Sequence, residues 1–363
     1  MPESLLNPTP ISKYNQTPNV LVSKIVCGNS HCLILFNNGD LYGFGGNEEG
    51  QLGVAITNEE SKYIGTLQKI TFTLPNIEEF KVEDIAAGDT FSLVLIRYNN
   101  TRTKVVRFGI NQADKYRTNL NNVVVTSIED VGNEENVEIT KIAAFGKRKI
   151  VITQTNEIYL SGLDFSSMKL DEYVHFAVFN TQINSICLGA NHCIIIDSNK
   201  DIYGLGDNTY GELGPYKLSL TSFTKIQFDN LQAPIAKISC GARHTLILLD
   251  NGELYCLGDN SEGQCYGFST RISTPIKVNL DIKEKIVDCY CGYTHNILVL
   301  DNGDVMSWGD ASSGKLGYDE EHFTQTTPKV ILNLKEKCVN KIGLGFQMSV
   351  IATGRYNGSM IDQ

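Results

Sequence analysis

Short apolar runs separated by polar, glycine-rich turns fill most of the chain, and the runs have the length of β-strands. In one well-preserved stretch, residues 245–249 form a compact apolar run, Asn251-Gly252 forms a turn, and residues 253–257 return. Asparagine and glycine adopt positive φ at low cost, so this dipeptide favours a tight hairpin between two strands. Helical periodicity with start and stop signals is weak throughout. The pattern therefore predicts an all-β protein.

The pattern recurs seven times, and each copy is headed by a glycine. The head glycines are Gly28, Gly88, Gly146, Gly189, Gly241, Gly292 and Gly345. Four of them open a Gly-x-x-His motif, which contains His31, His192, His244 and His295. The mean interval of about 53 residues holds about four short strands with their turns. Regular spacing of this size predicts stacked or radial copies of one small unit.

Two further elements follow the hairpin and complete the predicted unit. A Gly-Gln-Leu-Gly segment begins at Gly50 in the first copy, and Thr-Pro pairs such as Thr274-Pro275 precede an alternating run. Proline has no amide donor, so the Thr-Pro run is typical of an outer edge strand. Radial copies of this unit predict a seven-bladed β-propeller with about four strands per blade, as a single domain over residues 1–363.

The two ends of the chain carry signals for closure of the ring. Thr9-Pro10 begins the same outer-strand pattern, so the N-terminal segment is predicted to close the ring as an outer strand of the last blade. The apolar run at residues 349–353 is the only clear strand signal after Gly345. One terminal blade is therefore predicted to be incomplete.

The order of these motifs resembles the regulator of chromosome condensation repeat family. Cys-Gly-x-x-His, Leu-Tyr-x-Phe-Gly, Gly-Gln-Leu-Gly and Thr-Pro follow one another over residues 9–354. The resemblance implies a propeller that exchanges guanine nucleotide on a Ran- or Rho-like small GTPase, by differential binding and without covalent chemistry. It also implies a partner-binding role for His244. The family's wedge position, residues 111–118, and Arg148, at an acidic family position, both depart from the family pattern.

Basic residues concentrate in the second and third copies, where the motifs are least regular. The candidates for partner contact are Lys115, Arg117, Lys147, Arg148 and Lys149. One interpretation is a docking site for an acidic or phosphorylated partner or for phosphoinositides, because repeat positions that leave the consensus often line a binding face. The other is a solvated face balanced by nearby carboxylates such as Glu138. The docking interpretation makes the propeller a GTPase-independent scaffold, which is the alternative to nucleotide exchange.

The repeat histidines also have two interpretations. A catalytic role would place them around one rim of the ring, whereas a structural role would have each imidazole hold its own loop through hydrogen bonds to the backbone. Because the histidines follow the repeat phase, we favour the structural role. The residues assigned to the repeat framework are Gly28, His31, Gly189, His192, Gly241, His244, Gly292 and His295.

Composition narrows the choice of partner and compartment. A net charge of −10 and a pI near 5.2 disfavour direct binding to DNA or nucleosomes. Binding to anionic lipid would need a local basic patch. The chain has no apolar stretch of membrane-spanning length and no signal-peptide pattern at its start, so a cytoplasmic or nuclear monomer is predicted. The ten cysteines follow the repeat phase and are predicted to be reduced thiols.

Catalytic and cofactor motifs are missing from the residue pattern. There is no Ser-His-Asp order and no phosphate-cradling glycine loop, and Cys289-x-Cys291 lacks a second pair at zinc-site spacing. We therefore expect no bond-making enzyme activity, no metal and no cofactor. Trp308 is the only tryptophan, which argues against the clustered-tryptophan light sensing of some family members.

Overall fold

The computed structural model describes residues 20–109, 126–129, 131, 137–162, 173–267, 269–318 and 323–354. These residues form six four-stranded antiparallel sheets and one two-stranded sheet. The 3₁₀ turns within this part of the chain are Glu60–Lys62, Ser312–Gly314 and Leu332–Leu334. The all-β prediction is therefore confirmed.

In each four-stranded sheet the strands pair in chain order, so each sheet is a meander. The first sheet contains β1 (Val22–Cys27), β2 (His31–Phe36), β3 (Leu41–Gly46) and β4 (Tyr63–Lys69). The second contains β5 (Lys81–Ala87), β6 (Ser92–Tyr98), β7 (Arg102–Phe108) and β8 (Thr126–Ile128). The third contains β9 (Ile139–Phe145), β10 (Arg148–Thr153), β11 (Glu157–Ser161) and β12 (Val174–Val178).

The remaining sheets repeat this arrangement until the last. The fourth contains β13 (Ile183–Leu188), β14 (His192–Asp197), β15 (Ile202–Asp207) and β16 (Ser219–Ile226). The fifth contains β17 (Ile235–Cys240), β18 (His244–Leu249), β19 (Leu254–Asp259) and β20 (Arg271–Lys277). The sixth contains β21 (Ile286–Cys291), β22 (His295–Leu300), β23 (Val305–Asp310) and β24 (Thr324–Val330). The seventh, as far as the described residues go, contains β25 (Cys338–Leu344) and β26 (Ser349–Gly354).

The sheets are arranged radially around a central cavity of about 440 Å³. The first strand of every sheet contributes to its wall, through residues that include Ile25, Ile85, Ile142, Ile186, Cys240, Cys291 and Gly343. The apolar core fills the spaces between successive sheets, as in the cluster that joins Leu33 of the first sheet to Ile85 and Val94 of the second. Each sheet buries its faces against its neighbours, so the molecule is a β-propeller.

The strands agree only partly with the sequence assignment. The hairpin around Asn251-Gly252 is present, with Gly252 at φ +87°, and Pro275 lies in the outer strand β20 as predicted. The Gly-Gln-Leu-Gly segment is a turn and not a strand, because Gly50 and Gly53 both have positive φ. The fourth strand of each blade is instead the innermost one, which precedes the head glycine. The sequence does not predict it, because its polar and apolar residues are mixed.

The prediction of seven four-stranded blades is not supported. The described residues contain six such blades and a small seventh sheet of two strands. Only one apolar run follows Gly345, so the last copy can supply one hairpin, in agreement with the predicted short terminal blade. The predicted closing strand at Thr9-Pro10 lies outside the described residues.

The seventh sheet packs between the sixth blade and the first. β25 approaches β1 so closely that a Cβ on Gly343 would lie 2.5 Å from Cγ2 of Ile25. Val350 joins the apolar cluster of the first blade, and Ile342 joins the cluster that contains Ile297 of the sixth. Two strands are therefore enough to fill the seventh sector at the centre of the ring.

The cysteines differ from the sequence prediction at one interface. Cys187 of β13 and Cys240 of β17 form a disulfide across the fourth and fifth blades, with a Cα–Cα distance of 5.6 Å. The other eight cysteines are free. The prediction of ten reduced thiols is therefore wrong for this pair, because neighbouring inner strands bring Cys187, two residues before its head glycine, within bonding distance of Cys240, one residue before its own. No helix in the described part of the chain has the length and apolarity to cross a membrane.

Candidate functional site

One face of the ring carries the turns between the first and second strands of each sheet. We call this side the loop face and these segments the loop tips: residues 28–31, 88–91, 145–148, 189–192, 241–244, 292–295 and 345–348. Hydrogen bonds connect every tip to the next around the ring. They join Asn29 N to Asp89 O, Asp89 N to Gly146 O, Arg148 Nη2 to Asn191 Oδ1, Ala190 N to Ala242 O, Ala242 N to Tyr293 O, Tyr293 N to Gly345 O and Phe346 N to Gly28 O. The described residues alone thus close the circle at this face.

The four repeat histidines lie beneath the loop face and link neighbouring blades. All four are buried, and each Nε2 bonds a side chain of the next blade. The pairs, which we call histidine locks, are His31 with Ser92 (2.9 Å), His192 with Thr245 (3.3 Å), His244 with Asn296 (2.7 Å) and His295 with Ser349 (2.9 Å). The sequence predicts imidazoles that hold their own loops, whereas the observed Nε2 bonds run between blades.

The partner side chains fix the position of the proton on each imidazole. The Ser92 hydroxyl donates its hydrogen to Gln51 O at 2.7 Å, so it accepts from Nε2 of His31. Thr245 and Ser349 likewise donate to a backbone carbonyl of the preceding blade. The partner of His244 is the amide oxygen of Asn296, which can only accept a hydrogen bond. Each lock is therefore an Nε2–H donor bonded to the next blade.

Burial lowers the pKa of every lock histidine. The pKa falls from 6.5 to about 4 for His31 and His244, and to about 3 for His192 and His295. The imidazoles are therefore neutral at physiological pH. A buried, neutral imidazole bonded to the next blade can hold the ring together, but it has no exposed atom for a direct contact with a partner.

The head glycine and the histidine of one motif depend on each other. A Cβ on Gly241 would lie 2.0 Å from Cε1 of His244 and 2.8 Å from the carbonyl oxygen of Gly292 in the next tip. The imidazole packs directly against the glycine, so any side chain there would displace the ring. This contact explains why the two residues occur together at a spacing of three.

Two of the basic candidates replace histidine locks at the third blade. Arg148, the first residue of β10, stands at the histidine position and donates to Asn191 of the fourth blade at 3.0 Å. Lys149 follows it and bonds Glu129 of the second blade at 2.7 Å, while Arg107 Nε lies 3.0 Å from the same carboxylate. The side chains of Lys149, Glu129 and Arg107 are only 3% to 8% exposed. Charge therefore performs at the two interfaces of the third blade what imidazole performs at four others.

The third copy is also shifted by one residue relative to the others. Gly28 N bonds His31 O, whereas the corresponding pair in the third blade is Phe145 with Arg148. Gly146 therefore lies one position later than the other head glycines and forms the turn itself, with φ +61°. The sequence spacing alone does not reveal this shift, because Gly146 is the glycine of this copy and the head position is occupied by Phe145.

The structure separates the predicted partner-binding residues into three groups. Lys147 is exposed and Arg148 is half-buried on the loop face, while Lys149 and His244 are buried. Lys115 and Arg117 lie outside the described residues, as does the wedge position. The exposed cation of the fifth tip is Arg243, which stands next to His244 and was not predicted; its guanidinium packs 5.0 Å from the Tyr210 ring.

An aromatic cluster closes the central cavity at the loop face. Tyr293 reaches from the sixth blade to the third, where its ring stacks on Phe145 at 4.6 Å, and its hydroxyl donates to Asp89 of the second blade. Phe346 of the seventh sheet packs edge-on against the same ring at 4.8 Å. The sequence signal for Tyr293 and Phe346 is the second tip position, where these aromatic residues replace the small or polar residues of the other copies, while Phe145 stands at the first tip position.

The loop face therefore offers a closed floor and exposed tips for non-covalent binding. In the described ranges no three His, Cys, Asp or Glu side chains are placed to hold a metal ion.

The same repeat appears in comparisons with known families. Two models described as "Regulator of chromosome condensation (RCC1) repeat" match, one at residues 22–51, 183–212 and 235–264 and the other at residues 38–95 and 251–299. None of these segments lies between residues 96 and 182, the region that holds the charged replacements for the histidine locks.

Individual relatives are distant in sequence. The ultraviolet-B receptor UVR8 of Arabidopsis thaliana is 24% identical over 345 residues, which are 90% of this chain and 61% of the receptor. Human E3 ubiquitin-protein ligase HERC2 is 26% identical over 225 residues, 60% of this chain and 5% of the ligase. The chain thus spans less than two thirds of these relatives.

Solved structures repeat the fold over almost the whole chain. Human WBSCR16 superposes with a TM-score of 0.77 at 16% identity, covering 94% of this chain and 89% of its own. Yeast RCC1 (Prp20), solved bound to Kap60, superposes with a TM-score of 0.75 at 19% identity, covering 92% and 80%. At these identities the likeness concerns the fold.

Proposed function

Because this chain belongs to the regulator of chromosome condensation repeat family, we propose that it binds a Ran- or Rho-like small GTPase through its loop face and accelerates release of guanine nucleotide. The proposal needs no bond chemistry on the propeller, since exchange follows when the nucleotide-free GTPase is bound more tightly than the loaded form. The observation that carries it is the continuous floor of linked loop tips, on a fold that matches yeast RCC1 (Prp20) over 92% of the chain. A second structure of Prp20p, from Saccharomyces cerevisiae, was described together with the binding properties of Prp20p to Gsp1p and histones.

The test is release of fluorescent GDP from a panel of Ran- and Rho-like GTPases. We expect the chain to accelerate release from at least one member. Arg243→Glu should slow the accelerated rate about tenfold, because Arg243 is the exposed residue of the fifth tip. The matched control is Lys337→Glu, an exposed cation just before β25 at the opposite end of the inner strands, and it should leave the rate unchanged.

His244→Ala tests a different property from Arg243→Glu. Removal of the imidazole leaves the buried Asn296 without its lock partner, so this variant should lower stability first and exchange only as a consequence. Absence of acceleration on every GTPase in the panel would rule out the exchange proposal and favour the GTPase-independent scaffold. The cytoplasmic or nuclear location that the sequence analysis predicts is kept as part of this proposal.

A further inference from the structure

Charge is distributed unevenly over the loop tips. Their charged side chains are the cations Lys147, Arg148 and Arg243 and a single carboxylate, Asp89. The chain as a whole carries a net charge of −10, so a positive excess at the centre of one face is opposite to the mean field of the molecule. Such a local reversal attracts a partner of matching negative charge.

Lys147 and Arg243 are available for contact, whereas Arg148 is bonded to Asn191 and the carboxylate is engaged. Asp89 accepts the hydroxyl hydrogen of Tyr293. No described residue forms an ion pair with the exposed Lys147. Arg243 is held over Tyr210 by ring contact and by one hydrogen bond of 3.2 Å, which uses one of the five N–H donors of its guanidinium. Arg243 is therefore pre-positioned, with donors left for a ligand.

An apolar surface adjoins these cations. Phe346 is 40% exposed at the seventh tip, and Tyr293 beside it is half-buried. Because Tyr293 closes the cavity beneath, a ligand would rest on a floor and would not enter a channel. Carboxylates of a ligand can meet the cations while an apolar side chain covers Phe346.

Acidic side chains of two blades lie outside this centre on the same face. Glu48, Glu49 and Glu262 lie in the loops between the third and fourth strands of the first and fifth blades, which also open on the loop face. An extended polyanion that covers this face would meet these carboxylates, whereas a narrow protein segment can avoid them.

We propose that the centre of the loop face binds an acidic protein segment that carries an aromatic or aliphatic side chain beside its carboxylates. Lys147 and Arg243 bind the carboxylates, and Phe346 with Tyr293 packs against the apolar side chain. This recognition goes beyond nucleotide exchange and does not depend on it, because it concerns a peptide ligand that holds no nucleotide.

The test measures binding of synthetic peptides by fluorescence anisotropy. The probe is a labelled ten-residue peptide of aspartate and glutamate with one central phenylalanine, and the control peptide has lysine in place of every acid. The acidic peptide should bind, and added salt should weaken binding because exposed charges are screened. The double variant Lys147→Glu/Arg243→Glu should lose at least about tenfold in affinity, and Phe346→Ala should lose about threefold to tenfold.

Matched controls separate this site from general charge attraction. Lys335→Glu/Lys337→Glu reverses two exposed cations at the opposite end of the inner strands and should bind the acidic peptide as the unmodified chain does. The proposal is overturned if the acidic peptide does not bind, if both double variants lose affinity equally, or if vesicles containing anionic lipid bind the chain and compete with the peptide through residues other than Lys147 and Arg243. Exchange activity without peptide binding would overturn this proposal alone.

Discussion

At the scale of single residues, Arg148 and Lys149 show that an off-pattern charge can have a structural role. The sequence analysis groups them with exposed Lys147 as partner contacts, since all three interrupt the repeat. The structure places Arg148 and Lys149 at the two positions that elsewhere hold the histidine and its bonding partner. Between the second and third blades the neutral lock is replaced by the buried ions of Lys149, Arg107 and Glu129, which are stabilising only while every ion keeps its counter-ion.

Glu129 is the residue on which this charged interface depends. Glu129→Gln should lower the free energy of unfolding by about 3–5 kcal/mol, because it leaves the buried ammonium of Lys149 and guanidinium of Arg107 facing a neutral amide. Urea unfolding measures the change. Glu83→Gln is the control, since it breaks a more exposed pair with Arg97 and should cost less than about 1 kcal/mol. Equal losses in the two variants would mean that the buried cluster has no special role.

At the scale of the blade, the hairpins could be predicted from the sequence and the innermost strand could not. Asn251-Gly252 specifies its turn locally, and Pro275 marks an edge strand because it lacks a donor. The inner strands read as irregular, since residues such as Lys24 and Asp84 of neighbouring blades pair at the end of the cavity opposite the loop tips. That pairing forms only when the blades have assembled into the ring, so no local sequence pattern predicts it.

In the candidate site, too, the local features could be predicted from the sequence and the contacts between blades could not. The Gly-x-x-His motif is local and marks the tips correctly, because the imidazole lies against its own glycine. The direction of the lock bonds, the burial of Lys149 and the availability of Arg243 all depend on the neighbouring blade. One sequence without its packing does not contain that information.

Glycines at the end of the third strand should be far less replaceable than those in the hairpin turns. In the sixth blade, Gly309 has φ +108° and an added Cβ would lie 2.4 Å from the Thr294 oxygen, while Gly303 has φ +85° and no atom within 4 Å of that position. Gly303→Ala should cost about 1 kcal/mol from backbone strain alone. Gly309→Ala should cost about 3 kcal/mol or more, because the adjoining tip must also move. Chemical denaturation of both variants checks the difference, and similar costs would argue against a tight tip.

At the scale of the whole molecule, four of the seven inter-blade contacts in the ring are histidine locks that share one protonation requirement. The four lock histidines have pKa values lowered by burial to about 3–4, so the unfolded chain takes up more protons below pH 6.5. Their contribution to stability is present above pH 6.5 and is lost as the pH falls towards 4. Glu212 acts in the opposite sense, because burial raises its pKa from 4.5 to about 7. Its contribution is present below pH 4.5 and is lost as the pH rises through 7.

Four histidines outweigh one carboxyl group, so the propeller should lose stability on mild acidification. A net uptake of about three protons on unfolding corresponds to up to about 4 kcal/mol per pH unit near pH 5. The urea midpoint should therefore fall clearly between pH 7.5 and pH 5.5. Glu212→Gln introduces the residue type that Gln51 and Gln264 have at the corresponding positions, and it removes the group that titrates in the opposite sense. The urea midpoint of this variant should therefore fall more steeply with decreasing pH. An unchanged midpoint across this range would contradict the buried neutral locks.

The central claim is that partners meet the chain at the loop face, and hydrogen–deuterium exchange with and without a bound GTPase tests it most directly. For the nucleotide-free GTPase that responds in the release assay, we predict slower exchange of backbone amides at the loop tips, above all at residues 145–148, 241–244 and 345–348. Protection confined to the hairpin turns of the opposite face, such as residues 250–253 and 301–304, or no protection with any GTPase of the panel, would contradict the claim.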